Sequence, residues 1–596
     1  MRRRRALAVA TAALAGTLVA QPIAVAEPAS SLDKRPVAIG VGGAVVSDTV
    51  ESTKAGLDVL RAGGTAADAA VAVAATLGVT DPFMAGLGGG GYFVHYDART
   101  GRVSTIDGRE TTPAAGGERM FLDPATGQPY PFARAVTSGL SVGTPGMLAT
   151  WERALKRWGT FDLGRTLRPA IEVADRGWPV TEQLREEIEA NADRFRQFTS
   201  SAELFLPGGA PPAVGSLMRN PDLADTYRKI ARDGTRAFYD GAIGADVAAA
   251  AQRPPLAPGA TIDPPAGLLT ADDLAEYRTI DREPTHMRYR GLDVYGMAPS
   301  SSGGITVGEA LNILETSRLS TMDRTQALHR YLEASKLAFA DRNRYIGDPA
   351  YVDVPQRTLL SDRFARGRAC LIDPATVLTA PAAPGDVRRP DSCEPGRVEA
   401  SADTAAHTNH FVVSDARGNV VSYTNTIEQV GGSGIVVPQR GFLLNNELTD
   451  FNFAPTQGDA PDPNLPAAGK RPRSSMSPTI VLRHGRPFLA LGSPGGSTII
   501  TTVLQVLLNR IDFGMRLPQA VSSPRASQRN AATTTAEPAF VNSPEGKALA
   551  AIGHKYTEQA EIGTTAALEF LGGGLVLAVG EPSRRGGTSA GVVHGW

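Results

Sequence analysis

The sequence is short of the residues that build metal frameworks and charged binding surfaces. It has two cysteines and eight scattered histidines in 596 residues, too few for a zinc framework. Basic residues are not in excess, since 60 Lys and Arg stand against 61 Asp and Glu, which argues against nucleic acid or an anionic membrane as a partner. After the first 26 residues no segment has eighteen uninterrupted apolar residues, so we expect no membrane span in the mature protein. Hydrophobic residues make up 42%, which excludes wholesale disorder.

The first residues have the composition of an export signal. Four arginines at positions 2–5 precede an apolar stretch at 6–20 that is too short to cross a membrane. Small residues at 24–26 suit a cleavage site. We therefore predict a signal peptide over residues 1–26 and a secreted protein, periplasmic if the source has an outer membrane. An interfacial anchor helix fits less well because the stretch has no polar face.

The chain changes character near its two cysteines. Residues 373–403 are rich in Pro, Ala, Asp and Gly and predict an exposed connector. Cys370 and Cys393 bracket part of it, and export favours a disulfide between them over two free buried thiols. Helices dominate before the connector and strands after it. Helices layered on antiparallel strands predict a stacked α/β architecture rather than a doubly wound sheet.

Hydrophobic periodicity predicts the main elements. The expected helices are Met147–Trp158, Leu163–Arg176, His329–Arg344 and Thr498–Ile511. The expected strands of the second half are 409–414, 420–427, 435–437, 441–444, 478–483 and 487–492.

Two short motifs match known sites only formally. The glycines at 86–91 satisfy the dinucleotide pattern, but a helix is predicted before them and a strand after them, the reverse of what that site needs. Residues 139–143 match the serine-hydrolase elbow around Ser141, yet Gly143–Gly146 delays the helix that must follow the serine. A tight glycine turn explains the first motif. A serine hydrolase that uses Ser141 remains an alternative hypothesis.

Residues 408–428 predict a β-hairpin with its turn at 415–419. Continuous pairing across that turn places Thr408 opposite Thr426. The period of two places Thr426 on the same face as Glu428. The pattern thus groups two hydroxyls with a carboxylate, although by itself it favours an ordinary pair of β-branched residues.

Four further segments carry groups that can bind charged ends of a small molecule. Glu447 and Asp450, three residues apart at a strand end, can hold an ammonium group. Arg109 can grip a carboxylate with two hydrogen bonds, and the serine pair 474–475 offers hydroxyl donors before a strand. Residues 492–497 end a strand and open a helix, so their backbone N–H groups can receive an oxyanion. Each segment also has a purely structural explanation: a solvated turn for Glu447 and Asp450, a surface ion pair for Arg109, and a turn or helix cap for the serine pair and for residues 492–497.

These residues, in this order, resemble the gamma-glutamyltransferase (glutathione hydrolase) family over nearly the whole mature chain. The most specific matches are Lys470-Arg471-Pro472 before the serine pair and Ser493-Pro494-Gly495-Gly496. Other matching segments are 63–71, 299–304 and 337–342.

The resemblance implies an α+β fold, the four-layer αββα sandwich of the N-terminal-nucleophile hydrolases. It also implies an inactive precursor that cuts its own His407–Thr408 bond. The products would be a helix-rich large subunit, 27–407, and a strand-rich small subunit, 408–596, which remain together as a heterodimer. The exposed connector ends just before this bond, in agreement with the cut.

Roles for single residues follow from the resemblance. Thr408 corresponds to the nucleophile, and the α-amine that the cut frees would be its base near neutral pH. Thr426 matches the threonine that hydrogen-bonds the nucleophile, and Gly495 and Gly496 match the oxyanion-hole glycines. The remaining matches surround the amino-acid end of the donor: Arg109, Ser474 and Ser475 at its α-carboxylate, and Glu428, Glu447 and Asp450 at its α-ammonium.

The implied reaction transfers a γ-glutamyl group, as from glutathione, through a threonine ester to water or to an amino-acid or peptide acceptor. It needs no metal or organic cofactor. The sequence departs from the family pattern at Asn409, Val412, Gly431-Gly432, Arg473 and the tyrosine-free stretch 452–469. These departures leave the nucleophile and the oxyanion-hole glycines intact, and they leave substrate preference and the ratio of hydrolysis to transfer open. The alternatives are a glutaryl or cephalosporin acylase, or a poly-γ-glutamate hydrolase, of the same fold. A non-catalytic homologue is a further alternative, supported only by Asn409 and Gly431.

Overall fold

The computed structural model describes residues 34–394 and 407–595, with the side chain of His407 left out. The predicted signal peptide and the end of the connector lie outside the described residues. The strands are β1 Val37–Ser47, β2 Gly90–Asp97, β3 Arg102–Gly108, β4 Trp178–Pro179, β5 Leu217–Met218, β6 Ile280–Arg282, β7 Thr285–Tyr289, β8 Leu292–Gly296, β9 His407–Asp415, β10 Val420–Glu428, β11 Thr479–Arg483, β12 Arg486–Gly492, β13 Ala526–Ser527, β14 Thr534–Ala536, β15 Tyr556–Glu558, β16 Ala566–Gly572, β17 Leu575–Gly580 and β18 Ser589–Gly595.

The α-helices precede, separate and follow these strands. They are α1 Val50–Arg61, α2 Ala66–Thr80, α3 Phe132–Val136, α4 Met147–Trp158, α5 Leu163–Arg176, α6 Glu182–Phe195, α7 Thr199–Phe205, α8 Pro221–Asp233, α9 Arg236–Tyr239, α10 Ala242–Gln252, α11 Ala271–Glu276, α12 Gly303–Glu315, α13 Arg324–Tyr345, α14 Gln356–Leu359, α15 Asp362–Ala369, α16 Thr498–Ile511, α17 Leu517–Ser522, α18 Pro538–Val541 and α19 Pro544–Ala551.

The central strands form two sheets that share β1. The hydrogen-bonded order is β6-β3-β2-β10-β9-β1 on one side and β17-β16-β12-β11-β8-β7 on the other, with β18 also paired to β1. The first part of β1 pairs with β17 and its later part with β9. Gly42 and Gly43, with φ of 87° and 118°, lie where the first part ends and the later part begins, a conformation that favours glycine. The long strand therefore passes from one sheet to the other.

The two sheets pack face to face, as the alternation of side chains shows. Val412 of β9 and Ile480 of β11 belong to one apolar cluster that draws on both sheets. Their neighbours along the strands point the other way. Val413 belongs to a cluster that includes helices α2, α4 and α5, and Val481 belongs to one that includes α12, α13 and α16. Helices thus cover both outer faces. The result is the expected four-layer αββα sandwich.

Several sequence predictions agree closely with the structure. Helices α4, α5 and α16 have the expected bounds, α13 extends the expected helix by several residues, and the hairpin turns at 415–419. Cys370 and Cys393 are joined in a disulfide. None of the helices in the described parts of the chain is long and apolar enough to cross a membrane.

Two expected strands are wrong. Residues 435–437 and 441–444 form only isolated bridges outside the named strands, Val436 to Leu443 and Leu444 to Gly88. Both segments are buried in the apolar cluster that includes helices α2, α4 and α5. Their apolar character comes from this burial rather than from membership of a sheet.

Candidate functional site

The site is centred on the first residues of β9. Thr408 is 2% exposed and, by the alternation of the strand, lies on the same face as His410 and Val412, toward the second sheet. His410 Nδ1 lies 2.8 Å from Thr424 Oγ1, and burial lowers the pKa of His410 to about 3, so its ring is neutral at ordinary pH. A Cβ on Gly492 would lie 2.3 Å from that ring. This close approach holds the end of β12 against the start of β9.

The pairing of β9 with β10 changes register beside Thr408. Pairing is continuous as far as Asn425 with Asn409, and the next pair is Glu428 with His407. Thr426 and one further residue therefore both face Thr408, a β-bulge. The Oγ1 atom of Thr426 accepts a hydrogen bond from the backbone N–H of Glu428 at 2.8 Å, and Glu428 has a φ of 83°. The expectation that Thr426 and Glu428 share one face is wrong, because the bulge shifts the period by one residue.

A cavity of about 310 Å³ opens in front of Thr408. It brings together residues that are up to 390 positions apart in the chain. The expected site residues that line it are Arg109, Thr408, Thr426, Glu447, Asp450, Ser474, Ser475 and Gly496. Two other expected site residues, Gly495 and Glu428, adjoin residues of the lining. Gly495 precedes Gly496, and the Glu428 carboxylate accepts hydrogen bonds from Asn446 and from the lining residue Thr449.

The glycine turn after β12 presents backbone groups to this cavity. Gly495 and Gly496 have φ of 127° and 57°, and α16 starts two residues later. The hydroxyl of Thr498 donates to the carbonyl of Gly495 at 2.7 Å, and a Cβ on Gly495 would lie 2.6 Å from that hydroxyl oxygen. The turn therefore needs glycine. Backbone N–H groups at the start of a helix favour negative charge, as an oxyanion hole requires.

A buried charge cluster forms another wall. Arg109, 1% exposed, donates hydrogen bonds to Glu447 Oε1 and Asp450 Oδ2, and its Nε donates to the carbonyl of Pro472 at 3.3 Å. The two carboxylates raise the pKa of Arg109 against the opposing effect of burial. Burial raises the pKa of Glu447 to about 7, and the Arg109 guanidinium limits that rise. Burial, with Asp450 and Glu447 nearby, raises the pKa of Glu428 well above its ordinary value.

The serine pair is held by residues from the helix-rich first half of the chain. The carbonyl of Ser474 accepts hydrogen bonds from the backbone N–H of Ser302 at 2.8 Å and from its hydroxyl at 2.6 Å. Arg342 Nη2 donates to Ser475 Oγ at 2.8 Å, and Arg342 Nε donates to Ser302 Oγ at 2.9 Å. The segments 299–304 and 337–342, noted in the sequence only for their resemblance, thus support the site directly.

Sequence reasoning missed the aromatic wall and one cation of the cavity. Phe132, Phe451 and Phe453 line it, and Phe453 stacks on Phe121 at 4.3 Å between ring centroids. Arg342 also lines it. These phenylalanines come from two distant segments of the chain, and no local pattern marks them as neighbours.

The described residues contain one group that could hold a metal ion, made of His329, Glu333 and His554. These side chains already bond to other groups: His329 Nδ1 lies 2.8 Å from His554 Nε2, and Glu333 accepts from Lys336 and from the backbone of Leu378. None of the three lines the cavity in front of Thr408. The ammonium of Lys336 also disfavours a further cation there.

Comparison with known proteins agrees with this geometry. The gamma-glutamyltranspeptidase family model matches residues 52–591. The chain is 38% identical to a glutathione hydrolase proenzyme of Bacillus subtilis, over 94% of this chain and 93% of the relative. It is 35% identical to the acylase ACY 1 proenzyme of a Pseudomonas strain, over 88% of each. Among solved structures, cephalosporin acylase from Bacillus halodurans matches with a TM-score of 0.81 and 28% identity, over 97% of this chain and all of that one.

The fold and these neighbours place the protein among the N-terminal-nucleophile hydrolases. Within that class the chain belongs to the gamma-glutamyltranspeptidase family.

Proposed function

We propose that the protein is a self-cleaving gamma-glutamyltransferase and hydrolase, acting on glutathione and related γ-glutamyl compounds. The observation that carries this proposal is the cavity that joins Thr408 to the Gly495-Gly496 turn and to the Arg109–Glu447–Asp450 cluster. A nucleophile, an oxyanion site and groups for both charges of an amino-acid end meet there. We also propose that residues 1–26 direct the precursor to the outside of the cell.

Self-cleavage would begin with attack of the Thr408 hydroxyl on the carbonyl carbon of His407. The peptide bond breaks as an ester forms between these residues, the freed nitrogen takes up a proton, and water hydrolyses the ester. The products are the subunits 27–407 and 408–596. They would stay together because β1 pairs with β9, β2 with β10 and β8 with β11, so both sheets contain strands of each subunit.

In the mature enzyme the α-amine of Thr408 would remove the proton from its own hydroxyl. The hydroxyl oxygen attacks the γ-carbonyl of the donor, and the N–H groups of Gly495 and Gly496 stabilise the developing oxyanion. The amine product leaves with a proton, and water or an acceptor amine then attacks the glutamyl ester. Thr426, in the bulge opposite, would orient the nucleophile.

Recognition of the donor would use both signs of charge. Arg109 with Ser474 and Ser475 would bind the α-carboxylate, since a guanidinium suits paired hydrogen bonds to that group. The α-ammonium would be held by Glu428, Glu447 and Asp450. Arg109 already pairs with Glu447 and Asp450, and an α-ammonium would add a second positive charge to offset the desolvation of the three carboxylates.

The similarity to cephalosporin acylase supports a second candidate, an acylase acting on glutaryl amides or on poly-γ-glutamate. A glutaryl group has no α-ammonium, so it would leave the buried Glu428 and Glu447 and the partly buried Asp450 without a cationic partner from the substrate. We therefore favour the γ-glutamyl donor.

Intact mass and N-terminal sequencing of wild type and Thr408→Ala test the proposal. Scaling by length predicts wild-type fragments of roughly 40 and 20 kDa, the smaller beginning at Thr408, and a variant that stays whole. Turnover of a γ-glutamyl anilide should exceed that of the glutaryl anilide, and the reverse order would favour the acylase. Ser141→Ala serves as the control. The Ser141 hydroxyl is buried and bonds to the carbonyls of Val136 and Ser138, so both cleavage and turnover should persist.

A further inference from the structure

A second cavity, of about 360 Å³, lies apart from Thr408, and its lining residues include none of those around the first. It forms where the end of β1, the end of α2 and the start of α6 meet Arg585. Part of its wall is apolar, contributed by Trp178, Val180 and Leu184. The volume suits a small organic molecule.

Carboxylate oxygens without partners surround this space. Asp48 is 7% exposed and Asp81 is 6% exposed. One oxygen of each, and Oε2 of Glu187, is buried and has no hydrogen-bond partner among the residues that the structure describes. Buried polar atoms are nearly always hydrogen-bonded, because leaving one unpaired costs free energy. Three such atoms at one cavity indicate that a donor belongs inside it.

The charges of the lining favour a cation. Glu51 and Glu182 join the three carboxylates, and the cations among the described lining residues are Lys34 and Arg585. Lys34 donates its hydrogen bond to the carbonyl of Gly587. Arg585 Nη2 lies 3.4 Å from Glu187 Oε1 but 3.8 Å from Asp81 Oδ2, beyond hydrogen-bond distance. Negative charge therefore exceeds positive charge around the cavity.

The carboxylates are too far apart for a compact metal site. In the described parts of the chain, no group of three ligand atoms within 4.8 Å of one another includes Asp48, Asp81 or Glu187. Calcium and magnesium need oxygens at about 2.0–2.6 Å from one ion. An organic cation, with hydrogen-bond donors at one end and an apolar body, matches both the spacing of the acids and the wall formed by Trp178 and Leu184.

We propose that this cavity binds a small organic ammonium compound, with its ammonium between Asp48 and Asp81 and its hydrocarbon part against Trp178 and Leu184. The site is separate from the glutamyl site and goes beyond the proposed function. Burial raises the pKa of Asp48 to about 7 and that of Glu187 to about 7, with Asp81 raising both and Arg585 lowering both. Binding should therefore strengthen between pH 6 and 8 as these acids ionise beside Lys34, Asp81 and Arg585.

Calorimetric titration of the mature enzyme with n-pentylammonium tests the proposal, with n-pentanol as the uncharged probe of the same length. We expect one saturable ammonium site per heterodimer and no comparable site for the alcohol. The double variant Asp48→Asn/Asp81→Asn should weaken ammonium binding at least tenfold, since charged hydrogen bonds are lost. Its circular dichroism spectrum should match that of wild type, which verifies folding without reference to the glutamyl donor. Asp263→Asn, at a carboxylate 99% exposed, is the matched control and should bind as wild type does.

Four results would overturn the proposal: no saturable binding to wild type, equal affinity for the alcohol, equal affinity in the double variant, or binding that appears only after residues 27–33 are deleted. The last would assign the cavity to that segment of the chain. If the double variant does not fold, the single variant Asp48→Asn takes its place, with a smaller but measurable loss expected. None of these readouts depends on the identity of the glutamyl donor, so failure here and failure of the proposed function are distinguishable.

Discussion

Arg109 and Glu447 form an ion pair in which each side chain is only 1% exposed, although 338 positions separate them. Arg109 follows β3, and Glu447 begins the short turn that also carries Asp450. Removing one partner of such a pair leaves an uncompensated buried charge. The pair is therefore both a support of the site and, in the proposed function, a group that contacts the donor.

Arg109→Met should lower the free energy of unfolding by about 3–5 kcal/mol and reduce kcat/KM for a γ-glutamyl anilide severely. The control is Arg153→Met, because Arg153 and Asp281 form an ion pair with side chains 44% and 39% exposed. That exposed pair should contribute no more than about 1 kcal/mol. Denaturant unfolding of both variants checks the contrast, and equal losses would contradict a supporting role for the buried pair.

Donor binding should depend on pH through Glu447, whose pKa is raised to about 7 mainly by burial. A raised carboxyl pKa means that the protonated form predominates below pH 7, and a neutral carboxyl attracts an ammonium group weakly. The KM for a γ-glutamyl anilide should therefore fall as pH rises from 6 to 8. In Glu447→Gln the fall should be smaller, while the change of kcat with pH, which the proposed function assigns to the Thr408 amine, should persist. An unchanged KM profile in the variant would exclude this residue as the source.

Gly495→Ala should lower kcat at least a hundredfold while leaving KM less affected, because the oxyanion donors would be displaced. The added Cβ would lie 2.6 Å from Thr498 Oγ1 at a φ of 127°. Gly485→Ala provides the matched control: its φ is 75°, but a Cβ added there would have nothing within 4 Å. Steady-state kinetics of the two variants separate the effect of this turn from that of backbone strain, and similar kcat losses would argue against the oxyanion role.

Replacing both cysteines of the Cys370–Cys393 disulfide by alanine should lower the free energy of unfolding by about 2–4 kcal/mol and leave turnover intact. The bond closes a loop of 23 positions that precedes the proposed new carboxyl end at His407. Thiol labelling of the unfolded, unreduced protein should find no reactive cysteine. Two labelled thiols, or a double variant as stable as wild type, would show that the bond contributes nothing in solution.

Local sequence patterns predicted the elements well where one face of an element is buried. Helices α4 and α5 have clear hydrophobic periodicity, and their predicted bounds agree with the structure. The predicted position of the hairpin turn also agrees. The same reasoning failed for 435–437 and 441–444, whose apolar runs pack under helices. Periodicity records burial, and it cannot tell what covers a short buried segment.

The sequence by itself determined the family, the stacked α/β architecture and many of the residues that line the cavity at Thr408, because short motifs such as Ser493–Gly496 carry their backbone requirements locally. Only the tertiary structure decided which groups meet. Arg109 pairs with Glu447, and Arg342 donates a hydrogen bond to Ser475. A β-bulge places Glu428 on the opposite face of the strand from Thr426. Asp48, Asp81 and Glu187 line a second cavity. These relationships depend on strand register and on packing between distant segments, and neither is encoded within any short stretch of the chain.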